Sequence, residues 1–424
     1  MSTNLASSKT NYLGPFITMV VLMALVGLIT NINQQFQGPL QAAYLKNAGD
    51  LTNTLTTLIN FCFFLAYLVM GGTSARSLDS VGYRGTLIRG LIILVFAFGL
   101  FEFSAYQFEA FGGTLSMFGA TLPYAYFIFL LGSFVAGTAL TFLQAAINPY
   151  LVACEVKGTS GVQRQTIAGA ANSTMTTIGP LLVAWVIFGG RKAENIEISS
   201  LYIPILVLML VVVTLVFTLK RLNLPDIAST SSKGEKLSKS VWSFSHLALG
   251  VIAIFFYVGV EVAVGANINL YSMSEGFSME TAALMASLYW GGMLVGRLIG
   301  SFISKVPANV QLTLTSIGAF VLVLLSMTTG NPWLLVGVGL FHSIMWPAIF
   351  ALAMEKLGKY TSKGSGALMM GVVGGAILPF VQGVLADALG GEWSLTWLIV
   401  LISEVYLLYY ALVGSKVKRV GDDY

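Results

Sequence analysis

The sequence predicts an all-α membrane protein in which twelve transmembrane helices form two pseudo-symmetric halves of six. Of the 424 residues, 56% are hydrophobic and only 9% are charged, whereas a soluble domain carries about 25% charged residues. Twelve apolar segments each reach the roughly 20 residues that a transmembrane helix needs. The segment from Thr141 to Glu155 also recurs weakly about 200 residues later, in a segment that ends at Glu355. A repeat at that distance divides the chain into two similar halves.

The twelve predicted spans follow one another along nearly the whole chain. Their predicted bounds are 12–45, 49–71, 85–104, 122–153, 162–188, 200–220, 244–272, 279–301, 308–328, 332–356, 365–389 and 392–414. If the N-terminus is cytoplasmic, the outer loops contain only Lys46, Arg191 and Lys192 of the 22 basic residues. Because basic residues concentrate in cytoplasmic loops, both termini are predicted to lie in the cytoplasm.

The longest polar segment on the predicted inner side, residues 222–240, is rich in serine and lysine and follows the sixth span. It predicts a cytoplasmic linker at 222–241 between an N-terminal half, 1–221, and a C-terminal half, 242–424. Transporters built from two such parallel halves hold their substrate near the membrane midplane, between the halves.

The sequence argues against several other classes of protein. Cys62 and Cys154 lie in or beside apolar runs, and their number and spacing predict neither a disulfide nor a metal site. The net charge of +4 is spread over the loops, so nucleic-acid binding has no support. The first apolar run begins near Tyr12 and is too long for a cleavable signal peptide. The sequence shows no nucleophile–base set and no phosphate-binding glycine loop, so we expect neither enzyme activity nor a resident cofactor.

Span 4 carries a polar stripe inside an apolar run. Residues three or four apart lie on one face of a helix, so Thr141, Gln144 and Asn148 form a single stripe. Burying these groups in lipid without partners would cost several kcal/mol per group. The stripe is therefore predicted to face other protein or a wet cavity.

Amide side chains are denser still in span 1, which contains Asn31, Asn33, Gln34, Gln35 and Gln37. Amides donate and accept hydrogen bonds without requiring a counter-charge, which suits a neutral, polyhydroxylated solute. Aromatic side chains that could form the walls of such a site are Phe36, Tyr257, Trp290 and Trp346. Asn172 in span 5 fits helix packing and pore lining equally well.

Glu261 is an ionisable residue well inside span 7, on the same face as Tyr257 and Gly265. Such residues mark functional sites by default, here a site for a proton, a sodium ion or a substrate. A sodium ion would need further oxygen ligands, for which Asn267 is a candidate. A hydrogen-bonded structural glutamate is the alternative. Glu404 is also placed inside a span, and neither His246 nor His342 is interpreted as a ligand.

Two further segments are candidates for conformational roles. Asp79 and Arg84, with Gly82 between them, predict a tight cytoplasmic turn whose carboxylate pairs with a helix end or an arginine at the junction of the halves. In span 8, Gly292, Gly296 and Gly300 recur every fourth residue beside Arg297. Small residues at that spacing let helices approach closely, so packing is the favoured interpretation.

The motifs together resemble the fucose permease branch of the major facilitator superfamily, also called the fucose–galactose–glucose–proton symporter family. The matching segments are Asn31-x-Asn33 in span 1, LQAAINPYLV in span 4, Asn172-Ser173 in span 5, YVGVEVAVG in span 7, GRLIG in span 8, WPAIF in span 10 and GVVGGAILPFVQGVLAD in span 11. The resemblance implies the major facilitator fold and a bacterial inner-membrane importer of hexoses or related sugars. It also implies substrate contacts at Asn31, Asn148, Asn172 and Gln382.

The sequence departs from this family at two acidic positions. The fucose permease carries an aspartate where Gln34 stands and a glutamate where Gln144 stands. A glutamine cannot take up and release a proton at physiological pH, so the family's route for proton coupling is not available here. Family members often carry a glutamate at the position of Glu261.

The leading hypothesis is a monomeric secondary transporter for a neutral sugar, with any coupling to sodium or protons passing through Glu261. An uncoupled sugar facilitator is the first alternative, and the two amides favour it. An exporter of drugs or lipids would need a more apolar cavity than the amides of span 1 provide. A non-transporting sensor would be supported by a long cytoplasmic domain, which the sequence lacks.

Overall fold

The computed structural model describes residues 12–117, 119–159, 161–190, 196–222, 224–225, 239–302 and 306–421. Within them, twelve helical segments are long and apolar enough to cross a membrane, which confirms the predicted all-α membrane fold. These spans are Leu13–Tyr44, Gly49–Leu78, Ser80–Ala110, Tyr124–Leu151, Ile167–Ile187, Ile198–Arg221, Ser245–Ser274, Met279–Gly300, Ala308–Thr329, Trp333–Met354, Ala367–Ala388 and Ser394–Gly414.

The α-helices and strands subdivide these spans. The helices are α1 Leu13–Gln35, α2 Gln37–Tyr44, α3 Thr52–Ala110, α4 Tyr124–Ala153, α5 Gly161–Leu181, α6 Tyr202–Arg221, α7 Ser245–Ser274, α8 Met279–Phe302, α9 Ala308–Thr329, α10 Trp333–His342, α11 Met345–Met354, α12 Thr361–Met370, α13 Gly374–Ala388 and α14 Leu398–Tyr409. Helix α6 ends at Arg221, and a short 3-10 turn, Val241–Ser243, precedes α7. Most of the predicted linker, residues 223 and 226–238, lies outside the described part of the chain.

Spans 2 and 3 are joined more tightly than the sequence predicted. The predicted spans ended at 71 and began at 85, whereas helix α3 is helical throughout except at Gly82. Gly82 has φ 69° and ψ −173°, a conformation that a residue with a side chain rarely adopts. The predicted tight turn is therefore confirmed at Gly82, while the predicted span bounds at 71 and 85 are wrong because both helices continue up to this glycine.

Span 1 is broken in its last third and span 10 near its middle, each about one turn before a proline. Pro39 follows the break at Phe36, and Pro347 follows the break at Ser343 and Ile344. A proline has no N–H to donate to the carbonyl four residues earlier, so the helical hydrogen-bond ladder is interrupted there.

Span 11 is broken by a 3-10 turn, Gly371–Val373, between α12 and α13. The glycines at this break lie directly against span 7. A Cβ atom added at Gly374 would lie 1.8 Å from the carbonyl oxygen of Phe255. Only glycine therefore allows this close approach of the two helices.

A β-hairpin connects spans 3 and 4, although the sequence predicted only helices. Strand β1, Thr114–Met117, pairs antiparallel with β2, Ala120–Pro123. Gly113 and Gly119 at its ends have φ of 86° and 81°, which glycine adopts without strain. The hairpin is short, with β1 exposed and β2 mostly buried, so the hydropathy of the flanking spans obscured it.

The two halves meet through span pairs 2 with 11 and 5 with 8. We call the end of the bundle at which span 1 begins and span 6 finishes the terminal end, and the opposite end the far end. The described hydrogen bonds between the halves lie in the middle of the bundle or at the far end. They join Gln35 to Gly265 and Asn269, Asn53 and Thr54 to Asp387, Thr177 to Ser287, and Ser173 to Arg297.

Candidate functional site

The amides predicted in span 1 and span 5 meet where these helices cross. The amide of Asn172 donates a 3.0 Å hydrogen bond to the carbonyl of Met23. A Cβ atom added at Gly27 would clash with Asn172, and one added at Gly179 would lie 2.4 Å from Oδ1 of Asn31. Glycines on each helix thus make room for an asparagine of the other. For Asn172, which the sequence assigned equally to packing and pore lining, the structure adds a packing contact.

Span 1 contains buried amides whose polar atoms lack partners. Both polar side-chain atoms of Asn31 and of Gln37, and Oε1 of Gln34, are buried without a hydrogen-bond partner in the described structure. Buried polar groups in folded proteins are almost always paired, so unpaired ones mark places where a water or a ligand binds. Asn31 and Gln34 are one turn apart and form a compact group.

Gln144 is held close to the amides of span 1 by Tyr67, a contact that the sequence did not reveal. Its Nε2 donates a 2.8 Å hydrogen bond to the hydroxyl of Tyr67 in span 2. Thr30 of span 1 lies within hydrogen-bonding reach of the same hydroxyl. Asn148 is half-buried one turn closer to the terminal end. Its backbone carbonyl accepts a 3.1 Å hydrogen bond from the side chain of Gln165. The predicted stripe of span 4 therefore faces protein rather than lipid.

The aromatic candidates of the C-terminal half gather around span 7. The Tyr257 and Trp346 ring centroids are 6.2 Å apart. Trp290 is buried, its indole Nε1 is unpaired, and its ring lies where a Cβ on Gly265 would stand. Because the carbonyl of Gly265 accepts a 3.2 Å hydrogen bond from Gln35, Trp290 lies beside the amides of span 1.

Phe36 lies elsewhere, inside the N-terminal half. Its ring is fully buried and packs edge-on against Phe101, Phe129 and Phe188, at centroid distances of 5.6 to 6.4 Å. This side chain is part of the core at the break in span 1, not a wall of the space between the halves.

Gln382 and Asn267 are bound to each other within the C-terminal half. Nδ2 of Asn267 donates a 2.9 Å hydrogen bond to Oε1 of Gln382, whose Nε2 donates one of 3.0 Å to Thr396. Gln382 thus already uses one acceptor site and one donor of its amide within the C-terminal half. Asn267 is six residues beyond Glu261, about 9 Å along the helix and on another face, so the two do not form one ion site.

Glu261 is half-buried and lies within interaction range of Tyr257, His342 and Arg297. Arg297 in turn donates a hydrogen bond to Oγ of Ser173 in the other half. The charged group of span 7 is thus linked to a contact between the halves, and that contact is the one nearest the terminal end.

The structure reveals a second ionisable cluster that the sequence analysis missed. Nε2 of His342 lies 2.8 Å from Oε1 of Glu404, and both side chains are fully buried. Nδ1 of His342 lies 2.8 Å from the hydroxyl of Tyr289. His342 and Glu404 are 62 residues apart on different helices, so a search for helical spacing could not pair them. The only sequence signal was the position of Glu404 inside a span.

The far end of the bundle is closed between the two halves. Gln35 accepts a hydrogen bond from Asn269, and the space lined by these two side chains, Pro39 and Pro180 measures about 10 Å³. That volume holds at most about one water molecule. A sugar cannot pass between the halves at this end in the present conformation.

The residues predicted for conformational roles lie at different places. Arg84 donates a 2.6 Å hydrogen bond to the carbonyl of Leu222, which ties span 3 to the start of the linker. The side chain of Asp79 is outside the described residues. In span 8, added Cβ atoms at Gly296 and Gly300 would clash with Ser343 and Ile344 of span 10, which confirms the packing interpretation.

A cavity of about 510 Å³ opens at the terminal end of the N-terminal half. Its lining consists of Thr73, Arg76, Ser77, Ser80, Arg89, Ile92, Ile93 and Phe142. These residues belong to spans 2, 3 and 4 of one half, so the cavity is separate from the predicted site between the halves.

Comparison with known proteins identifies the family. Residues 12–379 match the profile of the Major Facilitator Superfamily. The chain is 34% identical over 421 residues to a protein named glucose/galactose transporter from Brucella abortus, covering 97% of this chain and 96% of that one. It is 32% identical over 416 residues to a putative glucose/galactose transporter of Helicobacter pylori, covering 94% and 96%. Identity to the L-fucose-proton symporter of Escherichia coli is 24% over 415 residues, covering 91% and 90%.

Solved structures agree with this assignment at the level of the fold. The crystal structure of the fucose:proton symporter of Escherichia coli superposes with a TM-score of 0.67 at 21% identity, over 96% of this chain and 100% of that one. The xylose transporter of Escherichia coli in an inward open conformation gives 0.70 at 12% identity, over 96% and 97%. The chain therefore belongs to the major facilitator superfamily, in the family of the glucose/galactose transporters.

Proposed function

We propose that this protein is a secondary transporter that imports a neutral sugar, a hexose such as glucose or galactose or a related sugar, across the bacterial inner membrane by alternating access. The single observation that carries this proposal is the group of unpaired, buried polar atoms of Asn31, Gln34 and Trp290. Asn31 and Gln34 lie one turn apart on span 1, where it crosses span 5, and Trp290 of span 8 packs against Gly265 of span 7 beside Gln35. Sugar hydroxyls both donate and accept hydrogen bonds, so a sugar would satisfy amide and indole groups that no protein group satisfies.

The named relatives support the substrate class. Two of them carry glucose and galactose in their names over nearly the full length of both chains. Gln144, held by Tyr67 beside the span 1 amides, is the proposed contact from span 4. Tyr257 and Trp346 supply the apolar faces against which sugar rings pack.

The distribution of basic residues supports an orientation with both termini in the cytoplasm. In that orientation the far end is periplasmic. The described hydrogen bonds between the halves lie in the middle and at the far end, which supports an inward-facing state as the proposed conformation. We expect sugar to enter when Gln35 separates from Asn269 and the contacts of Asp387 open.

Glu261 is the proposed coupling residue for a sodium ion or a proton. It is half-buried, and its neighbour Arg297 contacts the other half through Ser173. A change in its charge would therefore alter the balance between inward-facing and outward-facing states. The uncoupled facilitator is the second candidate, favoured by the neutral Gln144 at the tyrosine contact. In either case the sugar site lies between halves of one chain, so a monomer suffices.

Uptake by purified protein in proteoliposomes tests the proposal. Labelled glucose, galactose, fucose and xylose are supplied with an imposed sodium gradient, an imposed proton gradient, or no gradient. We expect saturable uptake of at least one hexose, and accumulation above equilibrium with one of the two gradients. Equilibration without accumulation under either gradient would establish the uncoupled facilitator. Failure of every sugar to enter above the level of protein-free liposomes would reject sugar transport.

A further inference from the structure

Spans 7, 8, 10 and 12 are joined by one chain of hydrogen bonds around a buried histidine. His342 ends α10 at the break in span 10. Its Nε2 is 2.8 Å from Oε1 of Glu404 in span 12, and its Nδ1 is 2.8 Å from the Tyr289 hydroxyl in span 8. The same hydroxyl lies 3.2 Å from the backbone carbonyl of Glu261 in span 7. Each link joins a different pair of helices.

The ionisable groups that face these hydrogen-bonded residues supply little net charge that could balance a charge on the histidine–glutamate pair. Span 7 contributes Tyr257, whose ring centroid is 6.3 Å from that of His342, and the carboxyl of Glu261. Span 8 contributes Arg297, within Coulomb range of Tyr289 and Glu261. Span 9, which packs on spans 10 and 12, has no ionisable residue between Ala308 and Thr329. Arg297 and an ionised Glu261 balance each other, so the histidine–glutamate pair is most stable when it is neutral by itself.

Neutrality of the pair requires one shared proton. A carboxylate with a neutral imidazole has a charge of −1, and two protons give +1. Either net charge, buried with fully covered side chains, would cost several kcal/mol. With one proton, the pair is neutral whether that proton resides on Nε2 of His342 or on the carboxyl of Glu404.

The shared proton also fixes the direction of the other hydrogen bonds. When it is present, Nδ1 of His342 carries a hydrogen and donates it to the oxygen of Tyr289. The hydroxyl hydrogen of Tyr289 is then free to be donated to the carbonyl of Glu261. When the proton leaves to water, the hydrogen of neutral His342 stays on Nε2 to satisfy the carboxylate of Glu404. Nδ1 must then accept the hydroxyl hydrogen of Tyr289, and the Glu261 carbonyl loses its donor.

We propose that His342 and Glu404 form a proton-binding site, and that Tyr289 transmits its occupancy to span 7 at Glu261. One proton binds or leaves, and no bond between heavy atoms is made or broken. The occupied state ties span 7 to span 8 next to the inter-half contact of Arg297. The site is distinct from the coupling role proposed for Glu261, because it operates whichever ion drives transport.

Sugar exchange at equal concentrations on both sides tests this site, since no gradient contributes. The pH is set equal inside and outside the proteoliposomes and varied between runs. We expect the wild-type exchange rate to change roughly fivefold with pH, the effect of one hydrogen bond on an equilibrium constant. Glu404→Gln mimics the proton-bound pair, because its amide can donate to Nε2, so its exchange should lose the pH dependence that comes from this pair. Glu280→Gln, an exposed residue of the same helix as Tyr289, is the matched control and should keep the wild-type profile.

Thermal unfolding of the purified protein tests the same site without sugar. The proposal requires the folded pair to hold its proton at a pH at which the unfolded chain has released it. The folded state therefore binds more protons, and stability should fall as pH rises. This slope should disappear in Glu404→Gln and remain in Tyr289→Phe, which keeps the pair but not its link to span 7. Failure of sugar exchange in every variant would reject the transport function and leave this measurement intact. A wild-type slope retained in Glu404→Gln would overturn the proposal.

Discussion

The carboxylate of Asp387, at the far end of span 11, accepts a 2.6 Å hydrogen bond from the backbone N–H of Thr54 at the start of span 2. The neighbouring N–H of Asn53 donates to the other carboxylate oxygen at 2.9 Å. The first N–H groups of a helix have no partner within the helix, and they carry partial positive charge. One half of the protein thus caps a helix of the other half. This cap exists only while the far end is closed.

Replacing Asp387 should therefore favour the conformation that is open at the far end. Asp387→Asn removes the negative charge and one of the two acceptors, which should cost the closed state about 1–2 kcal/mol. We expect the population of the far-open state to rise by roughly 5- to 30-fold. Spin labels at exposed Asn47 and Glu392, on a background without Cys62 and Cys154, would report the longer distance. Asp50→Asn, which removes an exposed carboxylate nearby, is the control and should leave the distance distribution unchanged. An unchanged distribution in Asp387→Asn would show that the cap does not stabilise the closed state.

Gln144→Ala should weaken sugar binding roughly tenfold or more, because a lost hydrogen bond with a buried partner left unpaired costs about 1–3 kcal/mol. The partner here is the hydroxyl of Tyr67. Tyr67→Phe should weaken binding as well, since Gln144 would lose the group that orients it. Binding of the preferred sugar to purified protein measures both effects. Gln311→Ala, at the terminal end of span 9, serves as the control. Wild-type affinity in Gln144→Ala would remove this residue from the site.

Glu261→Gln should separate accumulation from exchange. The glutamine preserves the shape of the side chain and most of its hydrogen bonding but cannot bind a proton or supply a charge to sodium. We expect gradient-driven accumulation to be lost while exchange at equal sugar concentrations survives. Both assays are made in the same vesicles, so differences in the amount of protein cancel. Accumulation that remains intact would assign Glu261 a structural role.

Gly374→Ala should destabilise the protein strongly. The added methyl group would lie 1.8 Å from the Phe255 carbonyl oxygen, so spans 7 and 11 would have to separate. Overpacking of this kind costs typically about 1–3 kcal/mol. Gly99→Ala is the matched control, because a Cβ atom at Gly99 meets no other atom within 4 Å. We expect a lower unfolding temperature in detergent for Gly374→Ala only, and equal temperatures would show that the break in span 11 absorbs the methyl group.

The number and approximate position of the spans could be predicted from the sequence because the bilayer imposes a minimum apolar length on each. The tight turn around Gly82 could be predicted as well, but not that the polar residues on both sides of it are helical, since such residues are typical of a loop. The breaks in spans 1 and 10 were not predicted, although Pro39 and Pro347 follow them. Pro149 and Pro180 lie inside helical spans, so proline alone did not locate the breaks.

The site was predicted in part, for a similar reason. Helical spacing finds residues that share one face of one helix, such as Gln144 and Asn148. Helical spacing gives no information on contacts between helices. Tyr67 is 77 residues from Gln144, and Glu404 is 62 from His342. Unpaired ionisable or amide groups inside a span signal that such partners exist, without naming them.

The single-residue turn at Gly82 has a mechanical consequence. On its two sides the hydroxyls of Ser77 and Thr86 are 3.1 Å apart, and Arg89 donates a 3.0 Å hydrogen bond to Ser77. A connection of one residue cannot extend, so a displacement of span 2 at the Asp387 cap also displaces span 3. Span 3 in turn packs on spans 4 and 6. Inserting several flexible residues at Gly82 should leave both halves folded, yet allow the far end to open while the terminal end stays still.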